Sequence, residues 1–127
     1  MTRNPRAKIF LVEDEPSIIE LVTLVLVNRG HEVVTLTDGS EVVERVRREV
    51  PDLIILDIMI PNLNGFHVCQ QIKTDANLKK IPILIVSALV QKGEIEMGIR
   101  MGADIYITKP FQNRQLLEAV DKLLQRP

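Results

Sequence analysis

Glu13 and Asp14, Asp57, Ser87 and Lys109 are residues of this chain whose types could do chemistry together, although they are far apart in sequence. Each follows a short apolar run: Ile9-Phe10-Leu11-Val12 before Glu13-Asp14-Glu15, Leu53-Ile54-Ile55-Leu56 before Asp57, Ile83-Leu84-Ile85-Val86 before Ser87, and Ile105-Tyr106-Ile107-Thr108 before Lys109. A single Asp at a strand tip usually caps a turn or the next helix. Three carboxylates brought together do something else: they raise one another's pKa unless a cation joins them. Oxygen-only ligands at a loop edge suit Mg²⁺ (or Mn²⁺), which prefers carboxylates, waters and phosphate oxygens. Such a dication, the Lys109 ammonium, the Ser87 hydroxyl and a free carboxylate make a site that can accept and stabilise a phosphoryl group on Asp57.

That chemistry needs elements that bring the ends of the runs together. Leu53 to Leu56, all branched aliphatics, fit a strand covered on both faces, as in the middle of a parallel sheet packed between helices. A carboxylate is not buried without a partner, so Asp57 belongs at the strand's carboxyl end, where open α/β sheets bind their ligands. The remaining pattern alternates in the same way. A first strand spans Lys8–Val12. Pro16 suits the first turn of a helix whose apolar residues Ile18, Leu21, Val22 and Val25 recur at helical spacing until Gly30 stops it. Val33–Leu36 is the second strand, and the turn Thr37-Asp38-Gly39 leads to a charged amphipathic helix over Ser40–Val50, ended by Pro51. After the central strand, a loop with Pro61 and Gly65 leads to a helix over Phe66–Lys73. Ile83–Val86 is the fourth strand. A helix over Gln91–Met101 carries Gly93 and Gly98, each costing about 1 kcal/mol against Ala, which predicts one of the less stable elements. Ile105–Thr108 is the fifth strand, and a helix over Gln112–Gln125 carries Leu116, Leu117, Val120, Leu123 and Leu124 on one stripe. Five strands alternating with five helices specify a doubly wound α/β three-layer sandwich with a parallel five-stranded sheet. Every polar interruption then falls at one edge.

The totals agree. The 127 residues fit one domain with a core that needs no staple. A net charge of -1, from 16 basic and 17 acidic residues, gives no electrostatic reason to expect nucleic acid or a membrane as the main partner. The lone Cys69 reads as a small helix-face filler, and neither His31 nor His67 belongs to a cluster with metal spacing. Met1 to Lys8 has charges but no apolar stretch of signal-peptide type, so the expected location is cytoplasmic.

Glu13-Asp14, Asp57 followed by Met59, Pro61 and Gly65, then Ser87-Ala88, Tyr106 and Lys109-Pro110-Phe111 resemble, in order, the receiver domains of two-component response regulators, the chemotaxis-regulator-like family. The resemblance covers residues from about Lys8 to Gln125. It implies a flavodoxin-like strand order of 2-1-3-4-5. The expected organisation is a single receiver domain over 1–127 with no output domain, either a stand-alone regulator or a receiver cut from a longer protein. It further implies that Asp57 accepts phosphate from a sensor histidine kinase or phosphotransfer protein. Glu13, Asp14, Asp57 and the backbone carbonyl of Met59 would hold Mg²⁺, directly or through water. Lys109 would pair with the phosphoryl group across a cis Lys109-Pro110 peptide, and the small Ala88 would leave it room. Ser87 would swing to bond a phosphoryl oxygen while Tyr106 turns inward. The surface of the fourth helix, fifth strand and fifth helix would then switch for a downstream protein target. The domain would be a signalling module rather than an enzyme, acting as a monomer or a phosphorylation-dependent dimer without direct nucleic-acid contact.

Some residues depart from the family pattern. Glu13 stands where many relatives have Asp, which lengthens the reach, and Ser87 replaces the commoner Thr. Met59 and Leu89 place apolar side chains where they could hinder a hydrolytic water and make the phosphorylated state long-lived. Ile105 stands where transcription-factor relatives often have an Asp used in a dimer salt bridge, which weakens the expectation of a dimer through that face. Phosphatases of the haloacid dehalogenase type need Asp-x-Asp after the first strand, and flavodoxin-like cofactor domains need a Gly/Ser/Thr-rich loop where this chain has Glu13-Asp14-Glu15. The remaining alternative is a pseudo-receiver, a protein-binding module of the same fold that takes no phosphate.

Overall fold

The apolar runs become strands with nearly the bounds the sequence implies: β1 Lys8–Val12, β2 Glu32–Leu36, β3 Leu53–Leu56, β4 Ile83–Ser87 and β5 Ile105–Thr108. In this computed structural model, which describes residues 6–125, they form one parallel sheet in the order β2-β1-β3-β4-β5. The charged start at residues 1–5 and the tail Arg126–Pro127 lie outside the described residues. Between the strands run α1 Pro16–Asn28, α2 Val42–Glu49, α3 Gly65–Thr74, α4 Lys92–Arg100 and α5 Asn113–Leu124.

Side-chain alternation divides the core in two. Phe10, Val12, Ile54, Leu56, Ile83 and Ile85 pack against α2 and α3 through residues such as Val42, Val46, Val68 and Ile72. Ile9, Leu11, Leu53, Ile55, Leu84 and Val86 pack against α1 and α5 through Val22, Leu26, Leu116 and Val120. All of β3 is buried, so its unbroken apolar run reflects cover on both faces. Cys69 fills the α2–α3 side, and burial pushes its thiol up to about 11.

Local signals fix the helix ends. Pro16 opens α1. Gly30 closes it with φ 96°, where the His31 N–H donates to Leu26 O at 3.1 Å and the Gly30 N–H to Val27 O at 2.9 Å. The helix expected from Ser40 begins instead as a 3-10 turn over Gly39–Glu41. Gly39 is pressed so close to the β3–α3 loop that a Cβ there would stand 2.2 Å from Leu63 Cβ. At its far end Val50, before Pro51, ends the helix in a left-handed conformation with φ 43°, its N–H donating to Val46 O at 2.8 Å. The helix expected to be weak is also poorly anchored: α4 buries only Gly98, whereas α3 and α5 each bury four residues. Among the described residues no helix is long and apolar enough to cross a membrane.

Candidate functional site at the carboxyl edge of the sheet

Strand register assembles the site. Val12 pairs with Leu56, so the next residues, Glu13 and Asp57, stand side by side at the edge. Backbone bonds run one step past the strands: Glu13 N–H to Leu36 O at 3.0 Å, Asp57 N–H to Val12 O at 2.9 Å, and Lys109 N–H to Ser87 O at 2.8 Å. Leu11, Ile55 and Ile107 point toward α1 and α5. Two residues further on, Glu13, Asp57 and Lys109 continue that face. Ile85 and Tyr106 belong to the opposite face, and Ser87 follows them there.

The Lys109 ammonium lies 2.8 Å from Glu13 Oε1 and 3.0 Å from Asp57 Oδ2. Glu13 and Asp57 are buried and Asp14 is exposed. Glu13 Oε2 accepts from the N–H groups of Asp14 and Glu15, both at 3.2 Å. Asp57 Oδ1 accepts from the Met59 N–H at 3.0 Å. Burial pushes the Glu13 carboxyl above its ordinary range, opposed by the Lys109 ammonium and reinforced by the Asp57 charge. Burial works against the Lys109 charge as well, but bonds to Glu13 and Asp57 outweigh it and hold the ammonium above its usual value.

One ligand oxygen from each of Glu13, Asp14 and Asp57 falls within 4.8 Å of the others. Three carboxylates against one ammonium leave an excess of negative charge on an all-oxygen donor set, which suits a hard dication such as Mg²⁺. Sequence reading did not foresee that both Glu13 oxygens are already engaged. Direct ligation by Glu13 therefore competes with Lys109, whereas Asp14 is exposed to solvent. No local pattern could have signalled this, because the competition arises across three strands.

On the other face, Ser87 is fully buried and its Oγ accepts from the Leu89 N–H at 3.2 Å. The Tyr106 hydroxyl donates to the Leu89 carbonyl at 2.7 Å, and its half-buried ring packs inward against the core. Burial pushes the phenol pKa up, and the nearby Ser87 hydroxyl pulls it back. Leu89, singled out in the sequence for its side chain, thus joins Ser87 to Tyr106 through its backbone. Ala88 is exposed beside them, the Met59 side chain is exposed, and Leu89 is half-buried. The Lys109-Pro110 peptide is cis. Gly65 lets the start of α3 press against the residue after Asp57, since a Cβ there would stand 2.5 Å from Ile58 Cα.

A family model described as the response regulator receiver domain matches residues 9–121. The chain is 36% identical over 121 residues to the DNA-binding response regulator MtrA of Mycolicibacterium smegmatis, covering 95% of this chain and 52% of that protein. It is 39% identical over 119 residues to the alkaline phosphatase synthesis transcriptional regulatory protein PhoP of Bacillus subtilis, covering 94% of this chain and 49% of that protein. The chain thus spans about half the length of these relatives. Among solved structures it is similar to the BeF3-activated N-terminal receiver domain of Klebsiella pneumoniae RstA. That match has a TM-score of 0.83 at 30% identity and covers 94% of this chain and 99% of that one.

Proposed function

The chain belongs to the response regulator receiver domain family, and from that premise we propose that it takes a phosphoryl group onto Asp57 from a phosphohistidine of a sensor kinase or phosphotransfer protein. The observation that carries this reading is the Lys109 ammonium shared between Asp57 Oδ2 and Glu13 Oε1 within a cluster of excess carboxylate.

A carboxylate oxygen of Asp57 attacks phosphorus, the new P–O bond forms as the P–N bond breaks, and the imidazole leaves with the electron pair. The Met59 N–H steadies the other carboxylate oxygen. Lys109 follows the charge from the Asp57 carboxylate to a phosphoryl oxygen, over a short path from its present position. Ser87 Oγ, already accepting from Leu89 N–H, keeps its own proton to donate to another phosphoryl oxygen. Asp14, Asp57 and the Met59 carbonyl, with Glu13 directly or through water, would hold Mg²⁺ (or Mn²⁺), whose charge would offset that of the phosphoryl oxygens.

Phosphorylation then alters the Ser87–Leu89–Tyr106 linkage and, through it, the α4–β5–α5 surface offered to a protein target. The relatives MtrA and PhoP are named for DNA binding and transcriptional regulation. The near-neutral balance of these residues supports a reading in which they do not contact nucleic acid directly. Met59 and Leu89 flank the site and slow hydrolysis of the acyl phosphate.

Acetyl phosphate with Mg²⁺, followed by intact mass, tests the reading. One added phosphoryl mass is expected on the wild type, decaying slowly, and none on Asp57→Asn or with a chelator. No gain under conditions that label another receiver would instead favour a pseudo-receiver.

A further inference from the structure

Helix α4 contains two glycines in opposite surroundings. A Cβ on Gly93 would meet nothing within 4 Å, whereas one on Gly98 would stand 2.9 Å from Cδ2 and 3.0 Å from Cε2 of Tyr106, and 3.1 Å from Cδ1 of Ile85. Glycine inside a helix is destabilising relative to alanine. Gly98 has none of the positive φ that marks Gly30 and Gly102, so backbone conformation does not call for glycine there. What the missing side chain provides is space, and the Tyr106 ring occupies it. From that place the Tyr106 hydroxyl reaches the Leu89 carbonyl, while the N–H of the same residue holds Ser87 Oγ.

On the reading of Ser87 and Tyr106 as the switching pair, we infer that Gly98 is a positioning residue: it keeps open the inward place of Tyr106 and so couples the state of Ser87 to α4. A methyl group at this position drives the ring outward and breaks the bond to Leu89. Acceptance of phosphate at Asp57 is left intact, because Glu13, Asp57 and Lys109 lie on the other face of the sheet edge.

The chain has one tyrosine and no tryptophan, so its intrinsic fluorescence reports Tyr106 alone. The experiment compares acrylamide quenching, and NMR contacts from the Tyr106 ring to residue 98, in the wild type, Gly93→Ala, Gly98→Ala and Gly98→Ala with Ile85→Val. Gly93→Ala is expected to melt higher with unchanged quenching. Gly98→Ala is expected to raise the quenching, lose the ring contacts to α4 and return the phenol titration toward about 10. Adding Ile85→Val clears the other close contact and leaves Tyr106 displaced. Unchanged quenching in Gly98→Ala, or full recovery with Ile85→Val, overturns the inference. Acetyl phosphate labelling of the same proteins separates the two readings. A wild type that takes no label counts against Asp57 as acceptor, whereas normal labelling with Tyr106 unmoved in Gly98→Ala counts against Gly98 alone.

Discussion

Lys73 and Lys109 are almost equally buried, with 15% and 13% of their side chains exposed, and sit at opposite ends of the sheet. At the amino edge Lys73 lies 2.9 Å from Asp104 Oδ2 and also donates to the carbonyls of Ile81 at 2.7 Å and Lys79 at 3.3 Å. The same Asp104 oxygen accepts from the Ile83 N–H at 2.8 Å. A cation meets a carboxylate there, with neutral backbone groups bonded to both. At the carboxyl edge one ammonium is divided between two buried carboxylates with a third beside them. The first arrangement ties the end of α3 to the residues that open β4 and β5, so it fastens the α3–β4 loop. The second gathers three carboxylates around one ammonium, and charge imbalance, more than burial or ion pairing, separates the proposed phosphoryl site from the brace.

Replacing each lysine tests that contrast with the largest effect. Lys73→Met takes the ammonium away from Asp104 and is expected to destabilise the fold by about 3 kcal/mol, the scale for breaking a buried pair, with no recovery in Mg²⁺. Lys109→Met is also expected to lose stability, but addition of Mg²⁺ restores part of it, because a dication can take up the two carboxylates. Urea denaturation with and without Mg²⁺ measures both. Equal rescue of the two variants would remove the distinction.

A smaller effect concerns the amino edge alone. His31 is buried, its Nδ1 accepts from the Ala7 N–H at 3.1 Å, and its Nε2 has no hydrogen-bond partner among the described residues. Burial pushes the imidazole below its ordinary 6.5, with Asp121 pulling it up, Arg29 pushing it down and Asp52 pulling it up. The unfolded chain therefore binds the proton more readily between the lowered folded value and 6.5. Stability is full above that window and falls as pH drops through it. In His31→Asn, whose amide oxygen can replace Nδ1 as acceptor, the His31 part of this slope should disappear from denaturation curves. An unchanged slope would exclude His31 as its source.

Much of this was legible in the sequence because it follows from local pattern. The apolar runs gave the strands, the polar residues after them marked one edge, and Gly30 gave the end of α1. Gly98 was read only as a helix-weakening residue, since its close approach to Tyr106 depends on how α4 lies on β5. The Lys73–Asp104 brace and the double engagement of Glu13 were not visible either. Both join residues on different strands and helices, and only register and side-chain direction bring them within bonding distance. The 3-10 start before α2 had a similar cause, the press of Gly39 against Leu63.

The most direct measurement of the charge imbalance is the thermal midpoint of the wild type and Asp57→Asn over a Mg²⁺ titration. Removing one of two carboxylates that compete for Lys109 should stabilise the metal-free chain by about 1 kcal/mol. The wild type should gain stability as Mg²⁺ rises, and the variant should gain little. A wild type indifferent to Mg²⁺, together with an Asp57→Asn variant less stable than it, would mean that Asp57 belongs to a balanced structural pair and would contradict the account.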